Sequence, residues 1–293
     1  MWWNNREIMK LPSVNIKQLL EAGVHLGHKT FRWNPKMSKF IFGSKNSIHI
    51  IDLVQTLEMT NKALHEIHKC IASGGKILFV STKKQATDTI SELAKDTSQY
   101  FVNHRWLGGM LTNWNTISNS IKRYKKLSSD LTKENKGFTK KEVLKLGTER
   151  DKLERSLGGI AEMKKIPDMI FIIDTNVEAL AVKEALKLNI PIVAVVDTNS
   201  DPTGINYPIP GNDDARRAIN LYCELVKLTI LDAQKNISEK KDPEPKIEQK
   251  IEKNKIKIEK PEVKVKKKTT EKKSKSIFSK VKALASKATK KSK

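Results

Sequence analysis

The clearest structural pattern in the chain is MIFIIDTNVEALAVKEALKLNIPIVAVVDTNSDP, at residues 169–202. Met169–Ile173 and Ile192–Val196 are short, almost wholly apolar runs, which is typical of strands that are buried on both faces. Residues 177–188, between the two runs, carry apolar side chains at helical spacing. A strand, a helix and a second strand in this order predict a βαβ unit with its two strands parallel in one sheet.

The same alternation continues on both sides of this unit. Further strands are predicted at Ile48–Ile51, residues 76–80 and Tyr100–Val102, and further helices at residues 16–22, Leu53–Ala72 and residues 85–95. A helix over residues 213–233 closes the body, and Gly211-Asn212-Asp213 is expected to supply its start and N-cap. The prediction is therefore an α/β fold, with a parallel sheet covered by helices on both faces.

Residues 116–163 interrupt this pattern. Two apolar series step by three and four residues there: Ile117, Ile121, Tyr124, Ser128 and Leu131, and then Val143, Leu146, Arg150, Leu153 and Leu157. Such spacing predicts two coiled-coil helices, joined near Asn135 and Gly137 and ended by Gly158-Gly159. We expect an antiparallel hairpin inserted into the α/β domain, with polar residues at Ser128 and Arg150 making the seam imperfect.

The composition divides the chain into four parts. Residues 1–10 are an N-terminal extension, residues 11–115 and 164–234 the α/β domain, residues 116–163 the hairpin, and residues 235–293 a tail. The tail has 22 lysines against 8 acidic residues, so it supplies +14 of the net charge of +23. Because it has too little apolar surface to form a core, we expect it to be disordered and to contact phosphates, although residues 277–288 could form a basic amphipathic helix.

The excess of positive charge indicates a polyanionic partner, either nucleic acid or an anionic membrane surface. Two segments of the body, residues 22–51 and 97–129, combine aromatic and basic residues without any acidic residue. Aromatic faces beside cations suit stacking on bases and neutralising phosphates, so we expect at least one segment to contact RNA. Two cysteines are too few for a disulfide framework, and no apolar run is long enough to cross a bilayer.

An enzymatic interpretation is the alternative. Asp174 and Asp197 end two predicted parallel strands, where they could hold Mg²⁺ for phosphoryl transfer on RNA. However, residues 23–30 lack the spacing of a phosphate-binding loop, and the histidines and cysteines complete no zinc motif. We therefore favour a structural role for these acids, with Asp197 in a turn and Asp213 and Asp214 capping a helix.

Six motifs occur in order along the chain: GVHLGH (23–28), WNP (33–35), RWLGGMLTN (105–113), SLGG (156–159), DTNSDP (197–202) and IPGNDDA (209–215). Together they resemble the ribosomal protein S2 family of bacteria and organelles, over residues 9–233. The resemblance implies a Rossmann-like or flavodoxin-like sheet with a protruding coiled-coil hairpin. It does not extend to residues 1–8 or to the lysine-rich tail.

The resemblance also implies a function without catalysis or cofactor. It indicates a structural protein of the small ribosomal subunit, bound to its rRNA and to neighbouring proteins, including protein bS1, which it helps to dock for translation initiation. No metal, membrane or homo-oligomer is expected, and the expected location is the ribosome, in the cytoplasm or in an organelle.

Nine residues are predicted to contact RNA or the adjoining protein surface: Lys29, Arg32, Trp33, Asn34, Lys36, Lys83, Lys84, Arg105 and Asn113. Lys83 and Lys84 are included because they precede a helix N-terminus, where phosphates bind. His25, His28, Trp106 and Trp114 can either join this surface or brace its loops from within.

Overall fold

The computed structural model describes residues 12–132 and 139–241. The N-terminal extension, the turn at Asn135 and Gly137, and the tail beyond Lys241 lie outside the described residues, so the predictions made for them stay predictions. Among the described residues, no helix is both long enough and apolar enough to cross a membrane.

The described residues form the following elements, in chain order. The helices are α1 (Ile16–Glu21), α2 (Leu53–Ala72), α3 (Thr87–Asp96), α4 (Trp114–Thr132), α5 (Lys140–Leu157), α6 (Ala179–Lys187) and α7 (Arg216–Lys241). The strands are β1 (Leu26–Lys29), β2 (Ile41–Lys45), β3 (Ile48–Ile51), β4 (Ile77–Val80), β5 (Tyr100–Val102), β6 (Met169–Ile173), β7 (Ile192–Val196) and β8 (Tyr207–Pro210). Short 3₁₀ turns occupy Thr30–Arg32, Pro35–Phe40 and Gly158–Ile160.

The main sheet has the order β5-β4-β6-β7-β8, and every neighbouring pair is parallel. Phe79 of β4 lies opposite Phe171 of β6, with ring centroids 5.7 Å apart. This arrangement confirms the predicted parallel α/β fold. Strand β8 was not predicted, because two of its four residues are prolines; it is tolerated since it lies at the edge of the sheet.

Successive residues of the central strands point to opposite faces of the sheet, and each face is covered. Phe79 belongs to a core cluster with α2, α3 and α7, whereas its neighbours Leu78 and Val80 belong to a second cluster with α6 and the start of α4. All residues of β4, β6 and β7 are buried. Helices on both faces explain why these strands are continuous apolar runs rather than alternating ones.

A second, antiparallel sheet has the order β1-β3-β2. Only β3 was predicted. The sequence of β1, Leu-Gly-His-Lys, has one large aliphatic residue, and β2 contains Gly43 and two exposed polar residues. Both pairings are also irregular in register, so neither strand shows the alternation by which strands are recognised.

Helices α4 and α5 lie side by side and form a helical hairpin. Arg123 of α4 makes an ion pair with Glu149 of α5. At the base of the hairpin, Ile117 and Ile121 of α4 and Leu157 of α5 are buried in the same core cluster. These contacts agree with two neighbouring helices, while coiled-coil packing along the seam stays a prediction.

The predicted start of the last helix is wrong by three residues. Helix α7 begins at Arg216, and the side chain of Asn212 accepts hydrogen bonds from the N–H groups of Asp214 and Ala215 (2.9 and 3.0 Å). Asp213 is buried and pairs with Lys83 instead of capping the helix. The helix also continues to Lys241, beyond the last periodic residue of the sequence pattern.

Candidate nucleic-acid interface

The predicted RNA-contacting residues lie at the carboxyl edge of the main sheet. Residues 83–84 follow β4, and Arg105 follows β5. Residues 28–36 reach the same edge because the N–H of Asn34 donates to the carbonyl of Thr198, directly after β7 (2.7 Å). Since parallel strands all end at one edge, the topology brings both acid-free segments to the place where ligands of α/β sheets bind.

Residues 29–33 present charge and aromatic surface to solvent. Lys29 and Arg32 are exposed, and the exposed fractions of Phe31 and Trp33 are 73% and 39%. The guanidinium of Arg32 lies 5.5 Å from the centroid of the Phe31 ring, and Trp33 packs beside the His49 ring at 5.4 Å. Cations and rings are thus interleaved on the surface, as an RNA-contacting loop requires.

Asn34 and Lys36 also hold this segment in place. The side-chain oxygen of Asn34 accepts from the N–H of Lys36 (3.0 Å) and begins the turn Pro35–Phe40. The ammonium of Lys36 lies 2.7 Å from a carboxylate oxygen of Asp201 and donates to the hydroxyl of Thr203 (3.0 Å). The bond from Lys36, with those from Thr203, lowers the pKa of Asp201 to about 2. Lys36 therefore joins two loops, and part of its charge is neutralised.

Glu184 of α6 organises the loop that contains the motif RWLGGMLTN. Its carboxylate accepts from the indole N–H of Trp106 (3.1 Å), from the backbone N–H groups of Gly109, Leu111 and Thr112 (2.8, 2.9 and 3.1 Å) and from the Thr112 hydroxyl (3.2 Å). Burial alone would raise the pKa of Glu184, but these hydrogen bonds hold it below its usual value. Sequence reasoning missed Glu184, because it stands on a helix more than 70 residues away.

This loop packs its tryptophans against the core and exposes its polar ends. Trp106 is buried and Trp114 is half-buried against the same core cluster, so both brace the loop from within. Arg105 and Asn113 are exposed. The side-chain oxygen of Asn113 accepts from the Thr116 hydroxyl (3.0 Å) at the start of α4.

The two neighbouring lysines after β4 have different surroundings. Lys84 is exposed, whereas the ammonium of Lys83 lies 2.7, 2.8 and 2.7 Å from carboxylate oxygens of Asp174, Asp213 and Asp214. Burial alone would lower the pKa of Lys83, but the three carboxylates hold it above its usual value. Lys83 therefore ties together the loops after β4, β6 and β8, and its ammonium is already occupied by carboxylates.

His28 joins the same cluster from β1. Its Nδ1 lies 2.8 Å from Asp197 and its Nε2 lies 3.3 Å from Asp214, while its backbone N–H donates to the hydroxyl of Thr198 (2.9 Å). The hydrogen bond to Asp197 outweighs burial and raises the pKa of His28. His28 thus braces its loop from within, fastening β1 to the end of β7.

The cluster also contains donor atoms of the kind that bind divalent cations. His28, Asp197 and Asp213 offer ligand atoms that all lie within 4.8 Å of one another, beside a cavity of about 350 Å³. Burial, with the charges of Asp197 and Asp174, raises the pKa of Asp213 to about 7. The sequence offered Asp197 as a Mg²⁺ ligand only in the enzymatic alternative, and it did not bring His28 to Asp197, because the two residues are 169 positions apart.

The two aspartates of the enzymatic alternative hold loops in place. One carboxylate oxygen of Asp174 accepts from the N–H groups of Asn176 and Val177 (2.9 and 3.2 Å), and the other pairs with Lys83. Asp197 accepts from the N–H of Thr198 and contacts His28. These bonds support the structural interpretation of both residues.

Comparison with known proteins identifies the family of the chain. Residues 19–233 match the family described as Ribosomal protein S2. The small ribosomal subunit protein uS2 of Parvibaculum lavamentivorans is 58% identical over 224 residues, which cover 76% of this chain and 88% of the relative. The corresponding proteins of Gluconacetobacter diazotrophicus and Brucella suis are 59% and 58% identical over 224 residues, covering 86% and 88% of their lengths. The chain therefore belongs to the ribosomal protein S2 family.

Proposed function

We propose that the protein is a structural component of the small ribosomal subunit, which binds small-subunit rRNA through the carboxyl edge of its main sheet. The match to the S2 family over residues 19–233 carries this proposal. The similar proteins are named as small ribosomal subunit proteins, and the match includes both acid-free segments.

Seven exposed members of the predicted set and the half-buried Asn34 form the RNA-contacting surface; the exposed ones are Lys29, Arg32, Trp33, Lys36, Lys84, Arg105 and Asn113. No ion pair is described for Lys29, Arg32, Lys84 or Arg105 within residues 12–132 and 139–241, so these four cations are available to phosphates. The exposed ring of Trp33 offers a face for bases. Lys83 takes part indirectly, by holding the loop that presents Lys84.

A neighbouring protein is the second partner, and we propose that protein bS1 docks on the surface that carries Phe31 and Phe42. Phe42 on β2 is 81% exposed and Phe31 is 73% exposed, although large aromatic rings are usually covered. Aromatic residues that stand in solvent are enriched at protein interfaces. Replacing both by alanine should reduce capture of purified bS1 by the particle, whereas Leu228→Ala on α7, also exposed, should leave capture unchanged.

Sedimentation tests the assignment to the subunit. A tagged copy of the full chain, expressed in a cell that supplies ribosomes, should migrate with small-subunit particles in a sucrose gradient at low salt. Migration only at the top of the gradient, apart from the particles, would contradict the proposal.

A charge-matched pair of variants tests the RNA surface. Arg32→Gln with Arg105→Gln should lower the slope of log affinity against log salt by about 1 per arginine, for binding to a small-subunit rRNA transcript. The control, Lys62→Gln with Lys183→Gln, removes the same charge from exposed positions on α2 and α6. Equal slopes for the two variants would show that the carboxyl edge is not the binding surface.

A further inference from the structure

A groove of about 1160 Å³ lies beside edge strand β5, away from the residues predicted from the sequence. Helix α3 forms one wall, β5 and the residues after it the floor, and the bases of α4 and α5 the other wall. Pockets for small molecules measure about 300–1,000 Å³, so this volume suits a segment of a polymer. The rim includes His104, next in sequence to Arg105 of the proposed RNA surface.

Aromatic rings and cations line the groove together. Tyr100 on the floor and Tyr124 on α4 are both half-buried, so part of each ring faces the groove. Lys95 and Lys125 extend from α3 and α4, and the ammonium of Lys76 lies 6.0 Å from the centroid of the Tyr100 ring. Rings alternating with ammonium groups are the pattern by which proteins hold unpaired nucleotides.

Among the residues that line the groove, those from α3, β5 and α4 include no acidic residue. Asp96 of α3 is directed elsewhere, because it pairs with Lys227 of α7. The acidic lining residues, Asp151, Glu154 and Glu162, come from α5 and the segment after it, and Asp151 is bound by Arg150. A phosphate backbone can therefore lie between Lys95 of α3 and Lys125 of α4, where Arg155 of α5 also lines the groove.

The floor does not suit an added peptide strand. Although β5 is an edge strand, it has only three residues, and its outer side is blocked at Phe101 by the 3₁₀ turn Gly158–Ile160. Gly159 approaches so closely that a β-carbon on it would lie 2.1 Å from the carbonyl oxygen of Phe101. Pairing of an extended peptide needs a row of free backbone groups, which this edge lacks.

We propose that this groove holds an unpaired segment of RNA, with Lys95, Lys125 and Arg155 on its phosphates and Tyr100 and Tyr124 as stacking faces for its bases. The inference rests on the proposed rRNA-binding function and adds a second contact surface to it. This surface runs from the base of the hairpin to the carboxyl edge of the sheet.

Charge-matched variants of the full chain test the groove. Lys95→Gln with Lys125→Gln should lower the slope of log affinity against log salt by about 1.4, at about 0.7 for each contact with a single strand. The control is Lys62→Gln with Lys187→Gln, which removes two exposed lysines from α2 and α6. Binding is measured with a small-subunit rRNA transcript, and circular dichroism melting checks that both variants are folded.

A measurement on the unaltered chain covers the case in which a variant fails to fold. Bound to the transcript, Lys95 and Lys125 should be protected from acetylation, whereas Lys62 and Lys187 should react as in the free protein. Ultraviolet irradiation should also attach nucleotides to peptides that contain Tyr100 or Tyr124.

The outcomes separate the two proposals. The groove proposal is supported if the Lys95→Gln, Lys125→Gln variant has a lower salt slope than its control and both lysines are protected from acetylation in the complex. The groove proposal is wrong if the unaltered chain binds the transcript but the two variants have equal salt slopes, or if Lys95 and Lys125 are not protected. Either result leaves the proposed function standing. If the unaltered chain binds no rRNA, the proposed function fails, and the groove inference fails with it.

Discussion

At the scale of single residues, Glu184 shows how one carboxylate can order a loop without regular structure. Five hydrogen bonds converge on it from a tryptophan, three backbone N–H groups and a threonine hydroxyl. The N–H groups of Gly109 and Leu111 lie at partly buried positions, where a donor without a partner costs free energy. The conformation of the motif RWLGGMLTN therefore depends on a residue of α6.

Glu184→Gln should destabilise the protein by about 1–3 kcal/mol, because an amide replaces a charged acceptor and turns its NH₂ group towards N–H donors. Urea unfolding followed by tryptophan fluorescence measures the effect. Glu58→Gln, at an exposed position on α2, is the control and should change stability by less than about 0.5 kcal/mol. Equal stability of the two variants would show that the five bonds contribute little.

The pH dependence of stability should also depend on Glu184. Its pKa is lower in the folded protein than in the unfolded chain, so its stabilisation is complete above the unfolded pKa of about 4.3 and is lost as the pH falls. The difference in urea midpoint between wild type and Glu184→Gln should shrink when the pH is lowered from about 6 to about 3. A difference that stays constant or grows on acidification would contradict this assignment.

Lys83 holds several loops together through its carboxylate partners. Lys83→Met should cost about 3–5 kcal/mol, because it leaves Asp174 and Asp213 buried without a counter-charge. The adjacent Lys84→Met, which removes the same charge from an exposed position, should cost less than about 0.5 kcal/mol. Thermal melting of both variants compares them. Similar losses would mean that charge, and not the buried cluster, governs stability.

At the scale of elements, Gly159 lies where the base of the hairpin packs closely against β5. Its α-carbon lies against the carbonyl of Phe101 on β5, where a β-carbon would stand only 2.1 Å from the oxygen. Nothing lies within 4 Å of a β-carbon at Gly147, inside α5. The two glycines therefore have different roles in the same hairpin.

Gly159→Ala should destabilise the protein by about 1–3 kcal/mol, since the turn Gly158–Ile160 or β5 must move to relieve the overlap. Gly147→Ala should stabilise it by about 0.5–1 kcal/mol, because alanine favours the helix and meets no neighbour. Circular dichroism melting distinguishes the opposite signs. A neutral Gly159→Ala would show that the hairpin base can shift without cost.

The elements that sequence predicts are those with a strong local pattern. Strands β6 and β7 are continuous apolar runs, and their bounds were predicted to the residue. Strand β1 has too few apolar residues to show a pattern, and β8 is interrupted by prolines that only its edge position permits. A strand that lacks a local pattern is stabilised by tertiary contacts. In β1, for example, the N–H of His28 donates to the side chain of Thr198.

The candidate site was also predicted only in part from the sequence. Sequence indicated that residues 22–51 and 97–129 are aromatic and basic, and the structure exposes Arg32 and Arg105 from them. It could not indicate that Lys83 meets Asp213, 130 residues away, or that Glu184 meets Gly109. Such contacts follow from the strand order of the sheet, which composition does not encode.

At the scale of the whole molecule, positive charge is divided between the folded body and the tail. Residues 242–293 carry 19 lysines and 7 acidic residues, so more than half of the net charge of +23 lies beyond α7. Contacts between lysines and phosphates release counterions whatever the base sequence, so the tail should add affinity without specificity. The body, with its rings and shaped loops, should supply the specificity.

Removing residues 242–293 should flatten the salt dependence of rRNA binding while leaving thermal stability unchanged. The cut belongs after Lys241 because α7 continues to that residue, so an earlier cut would shorten a helix that packs on α2. Each lost phosphate contact lowers the slope of log affinity against log salt by about 0.7–0.9. A full-length chain with glutamine at Lys264, Lys266, Lys267, Lys268, Lys272, Lys273 and Lys275 keeps the length of the tail and should give an intermediate slope. Slopes equal to that of the unaltered chain in both cases would show that the tail stays off the RNA and that the body alone binds it.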